Sequence, residues 1–173
     1  DGGRGRHDDR KSGLPPKKTG KPAGESKSKP LGELTKVYDY TDEAGQLLFQ
    51  VCRYEQTIDG KREKTFRPRV PDGRHGWRYG APEALRYNTI YRMPEVAAAI
   101  REGRTVFVVE GEKDADNLAV LGYTATTQPG GAGKWKDGHT KRLAGADVVV
   151  IPDNDTEDNK FVGQEHARHV AGS

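Results

Sequence analysis

Residues 105–116 read TVFVVEGEKDAD, and residues 146–155 read ADVVVIPDND. Each is an unbroken apolar run that ends in carboxylates. A strand with no polar alternation is what a sheet covered on both faces requires, and that is the parallel case. Between the two runs, KDADNLAVLGY (113–123) has helical spacing, with Leu118 and Leu121 expected on its inner side and Gly122 at its end. TATT (124–127) reads as a short strand, QPGGAGKWKDGH (128–139) as a glycine-rich loop, and HTKRLAG (139–145) as a brief helix. FVGQEHARHVA (161–171) has the texture of a further helix, and PEVAAAIRE (94–102) is a helix opened by Pro94 and Glu95 and stopped by Gly103. Strands alternating with helices predict an α/β fold with a parallel sheet and right-handed crossovers.

Upstream the period changes. KVYDYTDEAGQLLFQVCRYEQ (36–56) reads as two strands joined at DEAG, the turn IDGK leads into REKTFRPRV (62–70), and PDGRHGW precedes WRYG (77–80). An antiparallel meander of three or four strands follows from this. Arg53, Lys64, Arg67, Arg69, Arg74 and Arg78 interleave with Tyr54, Phe66 and Trp77 along it. Alternation predicts a basic row on one face and aromatic anchors on the other, either a phosphate-binding platform or an ordinary solvated sheet face. Residues 1–34 hold almost no large apolar side chains, and read as a disordered basic linker. Three segments result: the linker (1–34), a β-rich basic region (35–93) and the α/β region (94–173).

Of the 173 residues, 32% are hydrophobic and 32% charged, with 22 Gly and 10 Pro, which suits a small core carrying long polar segments. The net charge of +3 is unevenly spread: residues 1–30 carry +5, 31–52 carry −3, 53–104 carry +5 and 105–173 carry −4. A basic front half and an acidic back half point to one surface for phosphate and another for a metal. No apolar run reaches the roughly 20 residues of a membrane span, so a soluble chain is expected. The lone Cys52 excludes an internal disulfide or a cysteine-rich zinc site, and fits a reducing, cytoplasmic setting. The first residue is Asp rather than Met, as in a fragment or trimmed chain.

The chemistry concentrates at the strand ends. Glu110-Gly111-Glu112-Lys113-Asp114 follows the first apolar run, and Asp153-Asn154-Asp155 the second. Ligands of open parallel sheets bind at the carboxyl ends of strands. Asp153 and Asp155, two apart on an extended segment, point the same way, and Glu110 faces them if the strands are neighbours. Crowded carboxylates need protons or cations at neutral pH. Oxygen-only ligands with open positions suit Mg²⁺ or Mn²⁺. Glu110, Asp153 and Asp155 are therefore the expected metal-binding and catalytic set. Asp114 is either a helix cap or an outer ligand, and Glu112 either a further ligand or solvent-facing.

The motifs VFVVEGEKDADNL and VVVIPDND, whose Glu110 and Asp153 stand 43 residues apart, resemble the TOPRIM domain shared by bacterial-type primases, type IA and II topoisomerases and certain nucleases. The resemblance covers roughly residues 105–171. Within that superfamily, Glu110-Gly111-Glu112-x-Asp114 looks like the primase half of phage and plasmid primase-helicases, and residues 36–93 look like the subdomain that holds template and nucleotides. The resemblance implies Mg²⁺- or Mn²⁺-dependent synthesis of RNA primers on a single-stranded DNA template from ribonucleotides, with a helicase covalently attached or associated. Glu110, Asp153 and Asp155 would hold the metal, and Lys64, Arg67, Arg69 and Arg74 are candidates for phosphate or template contacts. It also implies a zinc-binding module upstream and a further strand and helicase downstream, none of which this sequence contains. Primer synthesis is thus expected of a longer parent protein.

QPGGAGKW does not satisfy the P-loop pattern, because Gln128 stands where its first glycine belongs and Trp135 where Ser or Thr belongs. A loop beside the metal is the alternative, with Lys134 and Lys136 reaching phosphates and Trp135 stacking on a base or packing on the sheet. His166 and His169, spaced i, i+3, read as surface histidines, and Asp158 as a solvated acid. Two other functions use the same residues: a TOPRIM nuclease activating water, and a non-catalytic nucleic-acid-binding module of a replicative helicase. The basic meander favours the primase over the nuclease, and no tyrosine has a nucleophile's setting to favour a topoisomerase.

Overall fold

A computed structural model describes residues 31–154 and 162–173, and shows a mixed α/β chain with two separate sheets. The first is antiparallel, in the order β1 (Glu33–Thr41), β2 (Leu47–Ile58), β3 (Lys61–Pro71), β4 (Trp77–Tyr79). Its turns follow the expected chemistry. The Asp42 carboxylate accepts from the backbone N–H groups of Ala44 and Gln46, both at 2.9 Å. Asp59 and Gly60 both have positive φ, 50° and 75°, the geometry that a two-residue hairpin between right-twisted strands requires.

Helices α1 (Glu83–Tyr87) and α2 (Met93–Arg101) lead to the second sheet. There β5 (Val106–Val108), α3 (Glu112–Val120), β6 (Thr124–Thr126), α4 (Asp137–Arg142), β7 (Val148–Val150) and α5 (Val162–Ala171) alternate. The strands are parallel in the order β6-β5-β7, so the first of them lies in the centre. Its side chains serve two cores. Val106 and Val108 pack with Val96, Trp135, Leu143 and Val170 from α2, α4, α5 and the glycine-rich loop. Phe107 and Val109 face the other way, into a core shared with Ala115 of α3 and with Tyr38, Tyr40, Phe49, Val51 and Val70 of the antiparallel sheet.

The structure departs from the sequence reading in three places. Of the two apolar runs only β5 is covered on both faces, and the short β6 beside it is buried as well. β7 is an edge strand, so Val148, Val149 and Ile151 are 36, 42 and 39% exposed despite their apolar run, and an apolar groove of about 760 Å³ opens between β7, α4 and α5. Leu121 is 70% exposed rather than inward, because α3 ends one residue earlier and Leu121 is its C-cap. Helix α1 was not anticipated, although Pro82-Glu83 is the same start signal as Pro94-Glu95. Among the described residues no helix is long and apolar enough to cross a membrane.

His139 supplies a test of the packing around α4. Its ring is fully buried, Nδ1 accepts from the Lys136 N–H at 3.0 Å, and Nε2 donates to the Arg86 carbonyl at 2.7 Å. Burial holds its pKa below the ordinary 6.5, although the Arg86 contact opposes this. The unfolded chain therefore binds more protons than the folded one just below pH 6.5, so stability is full above that pH and is lost as the pH falls through the folded pKa. Urea unfolding of the wild type at descending pH should show this loss, and His139→Gln should be less stable at neutral pH but have a flatter pH profile.

Candidate functional site

The in-register pairing of Val106, Phe107 and Val108 with Val148, Val149 and Val150 makes β5 and β7 leave the sheet side by side. A further bond, Ile151 N–H to the Val108 carbonyl at 2.8 Å, extends the pairing past β7. Glu110 and Asp153 follow directly. α3 and α4 lie on opposite faces of the sheet, with Ala115 in one core and Leu143 in the other. The chain thus winds first one way from β5 to β6 and then the other way to β7. The gap between the β5 and β7 ends is the topological switch point, where open parallel sheets bind ligands.

The first turn of α5 closes this gap. A Cβ built on Gly163 would stand 3.0 Å from Glu110 Oε2, 3.0 Å from the Asp153 carbonyl and 3.2 Å from the Asp153 N. The Glu110 carboxylate and the Asp153 backbone therefore meet at one glycine. Thr127, just past β6, donates its hydroxyl to the Glu110 carbonyl at 3.0 Å and braces the loop from the other side. Val108, Glu110, Val150, Pro152, Gly163 and His166 line a small cavity here. Asp155 and Asp158 lie outside the described residues. Among the described residues no three His, Cys, Asp or Glu side chains gather closely enough to hold an ion, so the described part of the expected set is Glu110 and Asp153.

The acids of the first loop take different roles. Asp114 is exposed on the first turn of α3, its Oδ2 3.4 Å from a Cβ position on Gly111. Glu112 is neither solvent-facing nor in the gap. It is 8% exposed and accepts the Tyr40 hydroxyl at 2.8 Å, tying the loop to β1. Burial pushes its carboxyl up from the ordinary range, and the Asp116 charge adds to this. Asp116, which sequence reading passed over, accepts from the Tyr91 hydroxyl at 3.0 Å and has Arg92 and Lys36 at 3.5 and 3.6 Å.

His166 is buried, contrary to its reading as a surface residue, while His169 is exposed. Gly163, His166 and Val170 form the inner stripe of α5 at i, i+3, i+7, and His169 falls outside it. His166 Nδ1 accepts from the Gly133 N–H at 3.2 Å and Nε2 lies 3.1 Å from the Gln128 amide nitrogen, which also donates to the Gly131 carbonyl. Burial keeps the ring's pKa low, with His169 contributing. The glycine-rich loop is thereby pinned to α5 beside the gap. Lys134 and Lys136 are exposed on it. Trp135 is 4% exposed and donates to Thr140 at 2.9 Å, so it packs into the core and does not await a base.

The basic candidates of the meander are distributed differently from the expected separation of charge and rings. Register puts Arg69 opposite both Gln50 and Tyr79, and Arg67 opposite Cys52. Arg67 and Arg69 lie over the rings of Tyr79 and Trp77, at 5.7 and 4.2 Å. Charge and ring thus share one face. Lys64 points to the other face with Phe66, and Arg74 sits in the β3–β4 turn, whose Asp72 carboxylate accepts its N–H at 2.7 Å.

Gly163→Ala should lower stability by about 1–3 kcal/mol in urea unfolding, because the added methyl must displace the Asp153 backbone as well as the Glu110 side chain. Gly172→Ala, whose nearest contact is 3.3 Å away, should cost less. No protein-family model, curated protein or solved structure matches the chain.

Proposed function

We propose that the chain is a TOPRIM-type, primase-like catalytic unit that transfers nucleotidyl groups in RNA primer synthesis. One observation carries the reading: the two acidic loops after β5 and β7 converge at the switch point of a parallel sheet, against the first turn of α5. The donor chemistry there is carboxylate oxygen, which suits a hard divalent cation such as Mg²⁺ or Mn²⁺. Glu110 and Asp153, with Asp155 two residues on, would hold it. When bound, such an ion neutralises triphosphate oxygens and favours attack by a sugar hydroxyl.

The remaining roles fall to this chain's own groups. Gly111 and Gly163 let backbone and helix approach the gap without side-chain bulk. The Tyr40–Glu112 bond orients the Glu110 loop relative to the basic sheet. Lys134 and Lys136, exposed on the pinned loop, would meet substrate phosphates, and Lys64 and Arg74 would add positive charge for a single-stranded DNA template. A helicase is the partner proposed for such a unit.

The test is primer synthesis on single-stranded DNA with ribonucleotides and Mg²⁺. Glu110→Gln and Asp153→Asn should each reduce synthesis roughly 100-fold or more, as expected when transition-state charge loses its stabilisation. Template nicking without synthesis would reassign the site to a nuclease. Synthesis unchanged by both substitutions would remove the carboxylates from the chemistry.

A further inference from the structure

The antiparallel sheet has a face that the acidic gap does not use. Tyr38, Tyr40, Phe49, Val51 and Val70 point into the core shared with the parallel sheet. Strand alternation sends Gln50, Arg67 and Arg69 the opposite way, together with Tyr79, which lies across from Arg69. There Trp77 and Tyr79 are 38 and 46% exposed, a large share for side chains of this size.

Their geometry is held from beneath. Asp39 accepts from Gln50 at 2.7 Å, and Gln50 accepts from Arg69 Nε at 2.7 Å, so the guanidinium is fixed by a cross-strand chain while it lies 4.2 Å from the Trp77 ring centre. The Tyr79 hydroxyl is 2.6 Å from that of Tyr54, which anchors the second ring under Arg67. No carboxylate among the described residues is paired with Arg67 or Arg69, whereas Arg53 and Arg62 are ion-paired to Glu55. Two braced planar rings, each beside a guanidinium without a carboxylate partner, match the π-faces and phosphates of an unpaired strand.

We propose that this outer face, with Arg67, Arg69, Trp77 and Tyr79 at its centre, binds single-stranded nucleic acid by stacking bases on the two rings, at a site separate from the acidic gap. A protein ligand would be expected to bring carboxylates to these arginines, but rigid exposed rings flanked by uncompensated charge favour a polyanion that carries its own aromatic planes. The inference stands on the charge and ring chemistry of this face, and holds whether or not the acidic loops carry catalysis.

The experiment is fluorescence anisotropy with a short labelled oligodeoxynucleotide and the full chain, in EDTA so that no divalent ion bridges the strand to Glu110 or Asp153. An abasic oligonucleotide of equal length keeps every phosphate and removes every base, so attraction from residues 1–30 is common to both ligands. The wild type should bind the base-bearing strand about tenfold more tightly than the abasic one, the scale of one or two stacked bases. Trp77→Ala and Tyr79→Ala should each weaken the base-bearing strand by about fivefold to tenfold and leave the abasic strand nearly unaffected. Arg69→Lys, which keeps the charge but loses the planar group, should narrow the difference between the two ligands. Equal wild-type affinity for the two ligands would overturn the proposal without recourse to any variant. So would Trp77→Ala binding like the wild type. Loss of primer synthesis in Glu110→Gln or Asp153→Asn bears on the acidic gap alone, so the two readings fail separately.

Discussion

Strand β5 is only three residues long, yet it is the element through which both cores communicate. Its two flanks pair with β6 and β7, and its alternating side chains enter different hydrophobic clusters. Being central and covered on both faces, with only Phe107 partly exposed, it has little solvated surface on which to place a polar group, and the run from Val106 to Val109 contains none. The first polar side chain after it, Glu110, appears where the enclosure ends. A shift of one residue in the pairing would exchange the contents of the two cores and move Glu110 away from Asp153. Burial of the valines therefore sets the position of the acids.

The antiparallel sheet adds a second constraint. Its inner aromatics pack on the far side of the parallel sheet, with Tyr40 stacked on Phe49 at a centroid distance of 4.5 Å and tilted against Tyr91 at 5.4 Å. From this cluster the Tyr40 hydroxyl reaches Glu112. A buried carboxyl without a donor is costly, so the bond makes the first turn of α3 depend on β1, some 70 residues earlier in the chain. Tyr91 repeats the device with Asp116. Both hydroxyls are held above the ordinary tyrosine range, chiefly by burial, and remain proton donors at neutral pH. The first turns of α3 are thus joined to β1 and to the segment before α2 by neutral aromatic hydroxyls as well as by ion pairs, a linkage with little sensitivity to salt.

The elements that depend on local patterning were legible in the sequence. The Asp-Gly turn, the alternation of β2 and the Pro-Glu start of α2 each carry their own signal, and so did the placement of Glu110 and Asp153 at strand ends. What was not legible depends on neighbours. Whether an apolar strand is central or at an edge cannot be read from its own residues, so β7 looked like β5. The side on which Trp77 falls relative to Arg69 depends on a register set by the turn at 72–76, and a pattern of alternating types does not reveal that they share a face. The His-x-x-His spacing alone resembles an exposed pair, and the burial of His166 follows from the broader stripe of Gly163, His166 and Val170. Glu112 was beyond reach, since its partner Tyr40 lies in the other sheet.

Gly163 does more than spare room. With no side chain there, the first turn of α5 lies against both the Glu110 carboxylate and the Asp153 backbone, so the loops after β5 and β7 share one contact point on the helix. A side chain at 163 would have to part the two strand-end loops before the helix could seat, so this glycine fixes how closely those loops approach.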